Sequence, residues 1–267
     1  MTGTIPERHK TFLDTLLVTL EKDPRIAAVL AGGSMVQGGF DAFSDLDLVI
    51  VVEPPAYADV MAGRREIAGR LGALMSAFSG DHVGEPRLFI CLYGPELLHV
   101  DLKFVLLSDL THLVERPLVL WAREEAAVIE ALDRAVVVWP ERVPQWFEDR
   151  AWTWLHYGAT KLQRGELHET LAMISFFNEQ VLGPMLQRRK GVPQRGLRKL
   201  EQAGIGATLA PLVAAYSPED ASRSLKAAAE LYLDLRTDAP PERPVAGMPE
   251  RLLPWLDLPF SARTDVR

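Results

Sequence analysis

Residues 25–53 read RIAAVLAGGSMVQGGFDAFSDLDLVIVVE, and the rest of the chain is best read outward from them. Arg25–Ala31 is a short, mostly apolar run that predicts a strand. Gly32-Gly33-Ser34 ends it in a sharp turn, a short helix is expected next, and Gly38-Gly39 closes that piece. Asp45–Glu53 is the clearest strand in the chain, opening 11 residues after Ser34. Its second half is rich in Val and Ile, as for a strand covered on both faces, and Pro54-Pro55 ends it. Residues two apart on a strand point to the same face, so Asp45 and Asp47 present two carboxylates side by side. Two such anions repel, and one tends to protonate. A hard divalent cation with oxygen ligands resolves the conflict.

Arg87–Tyr93 and Leu97–Leu107 predict two more strands. Gly94-Pro95-Glu96 between them suggests a hairpin and antiparallel pairing. In the second strand Leu98, Val100, Leu102 and Phe104 share one face, while His99, Asp101 and Lys103 share the other. Asp101 is therefore a third carboxylate on a strand of the same sheet. It suits either a metal ligand or a general base toward an incoming hydroxyl. The Gly33-Ser34 turn offers free backbone N–H groups and a hydroxyl, which suit phosphate oxygens. The reaction that needs these three parts is attack of an acceptor hydroxyl on the α-phosphate of a nucleoside triphosphate.

Composition narrows the alternatives. The chain has 267 residues, 48% apolar and 24% charged, which is ordinary globular composition. Its formal net charge is −7, which argues against a general nucleic-acid binder. Cys91 is the single cysteine, so neither an intrachain disulfide nor a Cys-rich zinc site is available. It is expected to be a small buried hydrophobe. No long apolar span is present, so no membrane crossing and no secretory signal are expected, and a cytoplasmic setting is the default. The P-loop, dinucleotide-binding, zinc-protease and serine-hydrolase motifs are all absent.

Residues 9–22 carry a helical apolar stripe. Residues 56–78, with Val60, Ile67, Leu71, Leu74, Met75 and Phe78, predict a helix packed on the sheet. From about 108 the texture changes to short helical pieces and a small strand at Val136–Trp139. Helices are then expected over 144–164, 167–190, 195–203, 207–215 and 218–236. The last of these has a strong start at Ser217-Pro218-Glu219-Asp220. The tail, 240–267, holds six of the 19 prolines and is expected to lack regular structure. The plan is an α/β fold: a mixed-sheet domain over 1–140, then an all-helical bundle domain over 141–267.

The run Gly33-Ser34-Met35-Val36-Gln37-Gly38-Gly39 followed by Ser44-Asp45-Leu46-Asp47-Leu48 resembles the signature of the polymerase-beta-like nucleotidyltransferase superfamily. His99-Val100-Asp101-Leu102-Lys103 is similar to that family's third-carboxylate strand. Within the superfamily the chain resembles the bacterial aminoglycoside adenylyltransferases, particularly the streptomycin 6-adenylyltransferase type. That likeness extends to Trp152–Tyr157, Lys161 and Arg164-Gly165-Glu166, which look like the start of a helical substrate domain. The resemblance implies that Asp45, Asp47 and Asp101 form the catalytic and metal-binding set, and that Gly33 and Ser34 touch the triphosphate. Lys103 and Lys161 are further candidates for phosphate contact, each set against an ordinary surface lysine.

The implied cofactors are Mg²⁺ and ATP, or another nucleoside triphosphate, with a small-molecule acceptor that is possibly an aminoglycoside. Nucleic acid is not an expected partner, and a monomer or homodimer is expected. Two alternatives stay open: transfer to a protein or tRNA, and a non-catalytic antitoxin-like interaction module. The basic cluster Gln187-Arg188-Arg189-Lys190 with Arg195, Arg198 and Lys199 is the feature that bears on the first. The aromatics Trp152, Trp154 and Tyr157 suit interdomain core better than a stacking platform, and bear on the second.

Overall fold

A computed structural model describes residues 5–257. The chain divides into two compact units, Met1–Trp139 and Pro140–Arg267.

The first unit is built on a six-stranded sheet. Helix α1 (Glu7–Glu21) buries Phe12, Leu13, Leu16 and Leu20, the stripe that its heptad-like spacing predicts. Strand β1 (Ile26–Ala31), a single-turn helix α2 (Ser34–Gln37) and strand β2 (Leu46–Val52) follow. Helices α3 (Tyr57–Ala62) and α4 (Arg64–Gly69) lead to strands β3 (Ala73–Gly80), β4 (Glu85–Gly94) and β5 (Leu98–Leu106). A two-residue strand β6 (His112–Leu113), strand β7 (Leu118–Ala122), helix α5 (Glu125–Arg134) and a short strand β8 (Val136–Val137) complete the unit. The sheet order is β3-β4-β5-β2-β1-β7. All neighbours are antiparallel except β2 and β5, which run parallel.

The two faces of this sheet are covered unequally. Leu46, Leu48, Ile50 and Val52 of β2 pack with Val100, Leu102 and Phe104 of β5 against α1, α3 and α4. On the other face Val51 and Val105 pack with Val128 and Leu132 of α5. Along β5 that second face changes from His99, Asp101 and Lys103 to buried Val105. Along β2 it runs from half-buried Asp47 through Val49 to buried Val51. The polar half of this face is therefore where the candidate carboxylates stand, and the apolar half is where α5 packs.

Two segments of this unit depart from the expected helices. The predicted helix 56–78 breaks at Gly63 and stops at Gly69, and β3 begins at Ala73. Leu74, Met75 and Phe78 fit helical spacing, but pairing with β4 makes them an edge strand with Met75 and Phe78 exposed. Leu118–Ala122, within the stretch expected to be short helical pieces, pairs antiparallel with β1 as the opposite edge.

The second unit is helical. It comprises α6 (Pro144–Gln163), α7 (Leu167–Phe177), α8 (Gly183–Arg189), α9 (Gly206–Leu209), α10 (Pro218–Arg236) and α11 (Leu253–Asp257). A π-helical turn at Asn178–Leu182 joins α7 to α8 just before Pro184, whose nitrogen can donate no helical bond. Ser217 caps α10 by accepting from Asp220 N, as its sequence predicts. The predicted helix at 195–203 is a series of turns, because Gly196 and Lys199 adopt positive φ. The predicted 207–215 helix shrinks to α9 and one 3-10 turn ending at Leu212. The proline-rich tail is more ordered than expected. Leu252 and Leu256 are buried in the helical core, and Val245 N donates to the buried carboxylate of Glu148. Residues 258–267 of that expectation lie outside the described residues.

Trp152 and Leu155 are buried in the same core, Trp154 packs against it, and Tyr157 is exposed. Cys91 is buried and free, and burial pushes its thiol up to about 12. Among the described residues no helix is long and apolar enough to cross a membrane.

Candidate active site

The parallel register of β2 and β5 sets Asp47 directly opposite Asp101. Asp45 stands two residues before Asp47, just outside the strand. Oxygens of the three carboxylates lie within 4.8 Å of one another, and all three side chains are half-buried. Among the described residues they are the one group of three acidic, His or Cys side chains so arranged. His99 stands beside them, and its Nε2–H donates to Asp101 Oδ1 at 2.9 Å. That hydrogen bond raises the His99 pKa above its ordinary value. Three carboxylates within one coordination sphere fit a hard, oxygen-seeking divalent cation and carry a repulsive cost without one.

Asp45 is held from behind. Asp41 Oδ1 accepts from Phe43 N at 2.8 Å and from Ser44 Oγ at 3.1 Å, which folds the loop into an Asx-type turn. From α1, the ring of buried His9 donates through Nε2 to the Ser44 carbonyl at 2.8 Å. Arg8 donates to the Ala42 carbonyl. Leu46, fully buried between the two aspartates, anchors the start of β2.

The Gly-Ser turn lies against the same carboxylates. Gly32 N donates to the Asp47 carbonyl at 2.8 Å. Gly33 has φ +58°, and a Cβ there would fall 1.8 Å from Asp47 Oδ2. Only glycine lets the turn approach that carboxylate. Gly33 N–H donates to Glu115 Oε1 at 2.5 Å, and Gln37 Nε2 donates to Glu115 Oε2 at 2.5 Å. The Ser34 hydroxyl is buried with no hydrogen-bond partner among the described residues.

The two candidate lysines are placed differently. Lys103 shares the face of Asp101, but its Nζ is 2.8 Å from Glu85 Oε2. Lys161 lies in the second unit, with its Nζ 2.5 Å from Glu166 Oε2 and over the Tyr157 ring. Phosphate must compete with a carboxylate for either one. The basic cluster is also partly neutralised: Arg189 pairs with Asp234 at 2.7 Å and Asp238 at 2.5 Å. The sequence reading missed Glu115, Gln37, Arg8 and His9. Glu115 is 82 residues from Gly33 and belongs to no motif. His9 alone left a trace, as a histidine on the apolar face of a helix.

Comparison with known proteins matches residues 13–88 to the nucleotidyltransferase domain family. The matched span holds Gly33, Ser34, Asp45 and Asp47, and stops short of Asp101. No curated protein matches the chain. Among solved structures, it is similar to an aminoglycoside 6-adenyltransferase from Bacillus subtilis, at 12% identity over 85% of this chain and 88% of that one, with TM-score 0.34. It is also similar to a nucleotidyltransferase-like protein from Exiguobacterium sibiricum 255-15, at 12% identity over 85% of this chain and 75% of that one, with TM-score 0.37. Residues 13–88 thus match the nucleotidyltransferase domain family, and the third carboxylate stands in register with the second just beyond that match.

Proposed function

We propose that this chain is a nucleotidyltransferase that moves AMP from ATP to a hydroxyl of a small-molecule acceptor, with Mg²⁺ held by Asp45, Asp47 and Asp101. The convergence of those three carboxylates within 4.8 Å carries the reading. When bound there, Mg²⁺ would neutralise triphosphate charge and polarise the α-phosphoryl group. Gly33 N–H and the Ser34 hydroxyl receive the β- and γ-phosphate oxygens, which gives the orphaned Ser34 hydroxyl a partner. The acceptor oxygen bonds to the α-phosphorus, the bond from that phosphorus to the bridging oxygen breaks, and pyrophosphate leaves. Asp101, with His99 bonded to it, completes the metal site or takes the hydroxyl proton.

We assign acceptor binding to the helical unit and favour a polycationic acceptor of the aminoglycoside class. The net charge of −7 favours such a cation.

The test has two arms. A pyrophosphate-release screen of the four nucleoside triphosphates against aminoglycosides and other small hydroxyl compounds identifies the substrates. Calorimetry on the double variant Asp45→Asn, Asp47→Asn is expected to show no Mg-dependent triphosphate binding while circular dichroism stays native. Binding equal to wild type would overturn the assignment of those carboxylates.

A further inference from the structure

Glu115 lies in the bend between β6 and β7, and its two carboxylate oxygens divide their work. Oε1 accepts the Gly33 N–H at 2.5 Å, and Oε2 accepts Gln37 Nε2 at 2.5 Å. A Cβ built on Gly32 would lie 3.0 Å from Oε1. The carboxylate therefore lies across the Gly-Ser turn against both glycines. Gly33 has Glu115 on its N–H and Asp47 against its Cα. The N–H best placed to receive a phosphate oxygen already holds an oxyanion, and that oxyanion is part of the chain.

The backbone around Glu115 is anchored independently of this contact. The next residue, Arg116, donates to the Leu132 carbonyl at 2.9 Å and pairs with Asp133 at 2.6 Å. Beyond it, β7 is paired with β1. Only the half-buried Glu115 side chain has to rotate to vacate the turn. Its charge also adds to that of three neighbouring aspartates, so a metal-bound triphosphate gains both a donor and relief from repulsion when Glu115 leaves.

We propose that Glu115 is the resident anion of the phosphate seat, displaced from Gly33 N–H when triphosphate binds. This rests on the reading of the Gly-Ser turn as a phosphate site. Glu115 thereby sets nucleotide affinity: each binding event exchanges a carboxylate oxygen for a phosphate oxygen on one backbone donor.

The experiment is calorimetric titration of the full chain with magnesium tripolyphosphate, which carries three phosphates without base, sugar or acceptor. Wild type is compared with Glu115→Ala and Glu115→Gln. Glu115→Ala is expected to bind at least tenfold tighter than wild type, a change of about 1.4 kcal/mol. Glu115→Gln, which keeps an acceptor oxygen but loses the charge, is expected to fall between the two. If Glu115→Ala does not fold, the Gln variant decides the matter with an expected gain of about threefold. Wild-type binding with equal or weaker binding in the variants overturns the proposal and leaves the triphosphate reading standing. No binding by any of the three proteins overturns the triphosphate reading, and the role of Glu115 with it.

Discussion

Gly33→Ala tests the geometry of the site most directly. The new methyl carbon would sit 1.8 Å from Asp47 Oδ2 and 2.7 Å from Asp47 Cγ. Ordinary contact needs roughly 3.5 Å, so the carboxylate must retreat by more than about 1 Å. Displacement on that scale at a reacting site typically costs about 100-fold in rate. The variant also forces an L-residue to hold φ +58° with ψ −137°, outside the left-handed α well, at a cost of about 1–3 kcal/mol. Gly38→Ala separates the two effects. It too has positive φ, at +86°, but its Cβ would meet nothing within 4 Å. Both variants are expected to melt a few degrees below wild type, since 1 kcal/mol shifts the midpoint of a domain this size by about 2–8 °C. Only Gly33→Ala is expected to lose Mn²⁺ binding, followed by electron paramagnetic resonance, and about 100-fold in pyrophosphate release. Wild-type Mn²⁺ affinity in Gly33→Ala, or equal losses in both variants, would refute the claim that the turn is fitted against Asp47.

Further outcomes follow from charge and burial. The Arg25 hydrogen bond holds the Asp23 carboxyl down at about 2, against an ordinary value of 3.8. Hydrogen bonds from Arg87 and then Lys103 hold Glu85 at about 2, against 4.5. Their contribution to stability is therefore complete above about pH 4.5 and is lost as the pH falls toward 2. Asp23→Asn should flatten the acid limb of a melting-temperature profile, and a limb parallel to wild type would count against the pair. Cys91, buried with its thiol pushed up to about 12, should resist maleimide in the native chain and react fully in denaturant. Native-state labelling at the rate of a free thiol would contradict that burial. Glu148, fully buried, accepts from Trp152 Nε1 at 3.0 Å, Tyr232 OH at 2.5 Å and Val245 N at 2.8 Å. Glu148→Leu strands those donors and should cost about 3 kcal/mol or more by urea denaturation. A loss below about 1 kcal/mol would show that the tail and helices are held by packing alone.

The main signals of the site were legible because they are local. Gly33-Ser34 follows a strand, Asp45 and Asp47 are spaced for one face, and Asp101 sits on the polar side of a strand whose other side is apolar. Periodicity and turn chemistry report such features directly. Less legible were the edges of the sheet. Leu74, Met75 and Phe78 fit either a helix or a strand, and β7 is a five-residue apolar run without a distinguishing period. Short apolar runs are settled by which neighbour offers hydrogen bonds, here β4 and β1. The segment 195–203 failed for another reason: positive φ at Gly196 and Lys199 is imposed by the turns the chain must make.

The sequence alone determined which chemical groups are present: a turn open to anions, three candidate carboxylates and an α/β half followed by a helical half. The tertiary structure decided how they meet. It placed Asp47 and Asp101 in register across a parallel strand pair whose ends are about fifty residues apart in the chain. It also brought Glu115 onto Gly33 and His9 onto the loop before Asp45. Strand pairing and side-chain contact of that range depend on the closed fold, because no local spacing rule links residues so far apart along the chain.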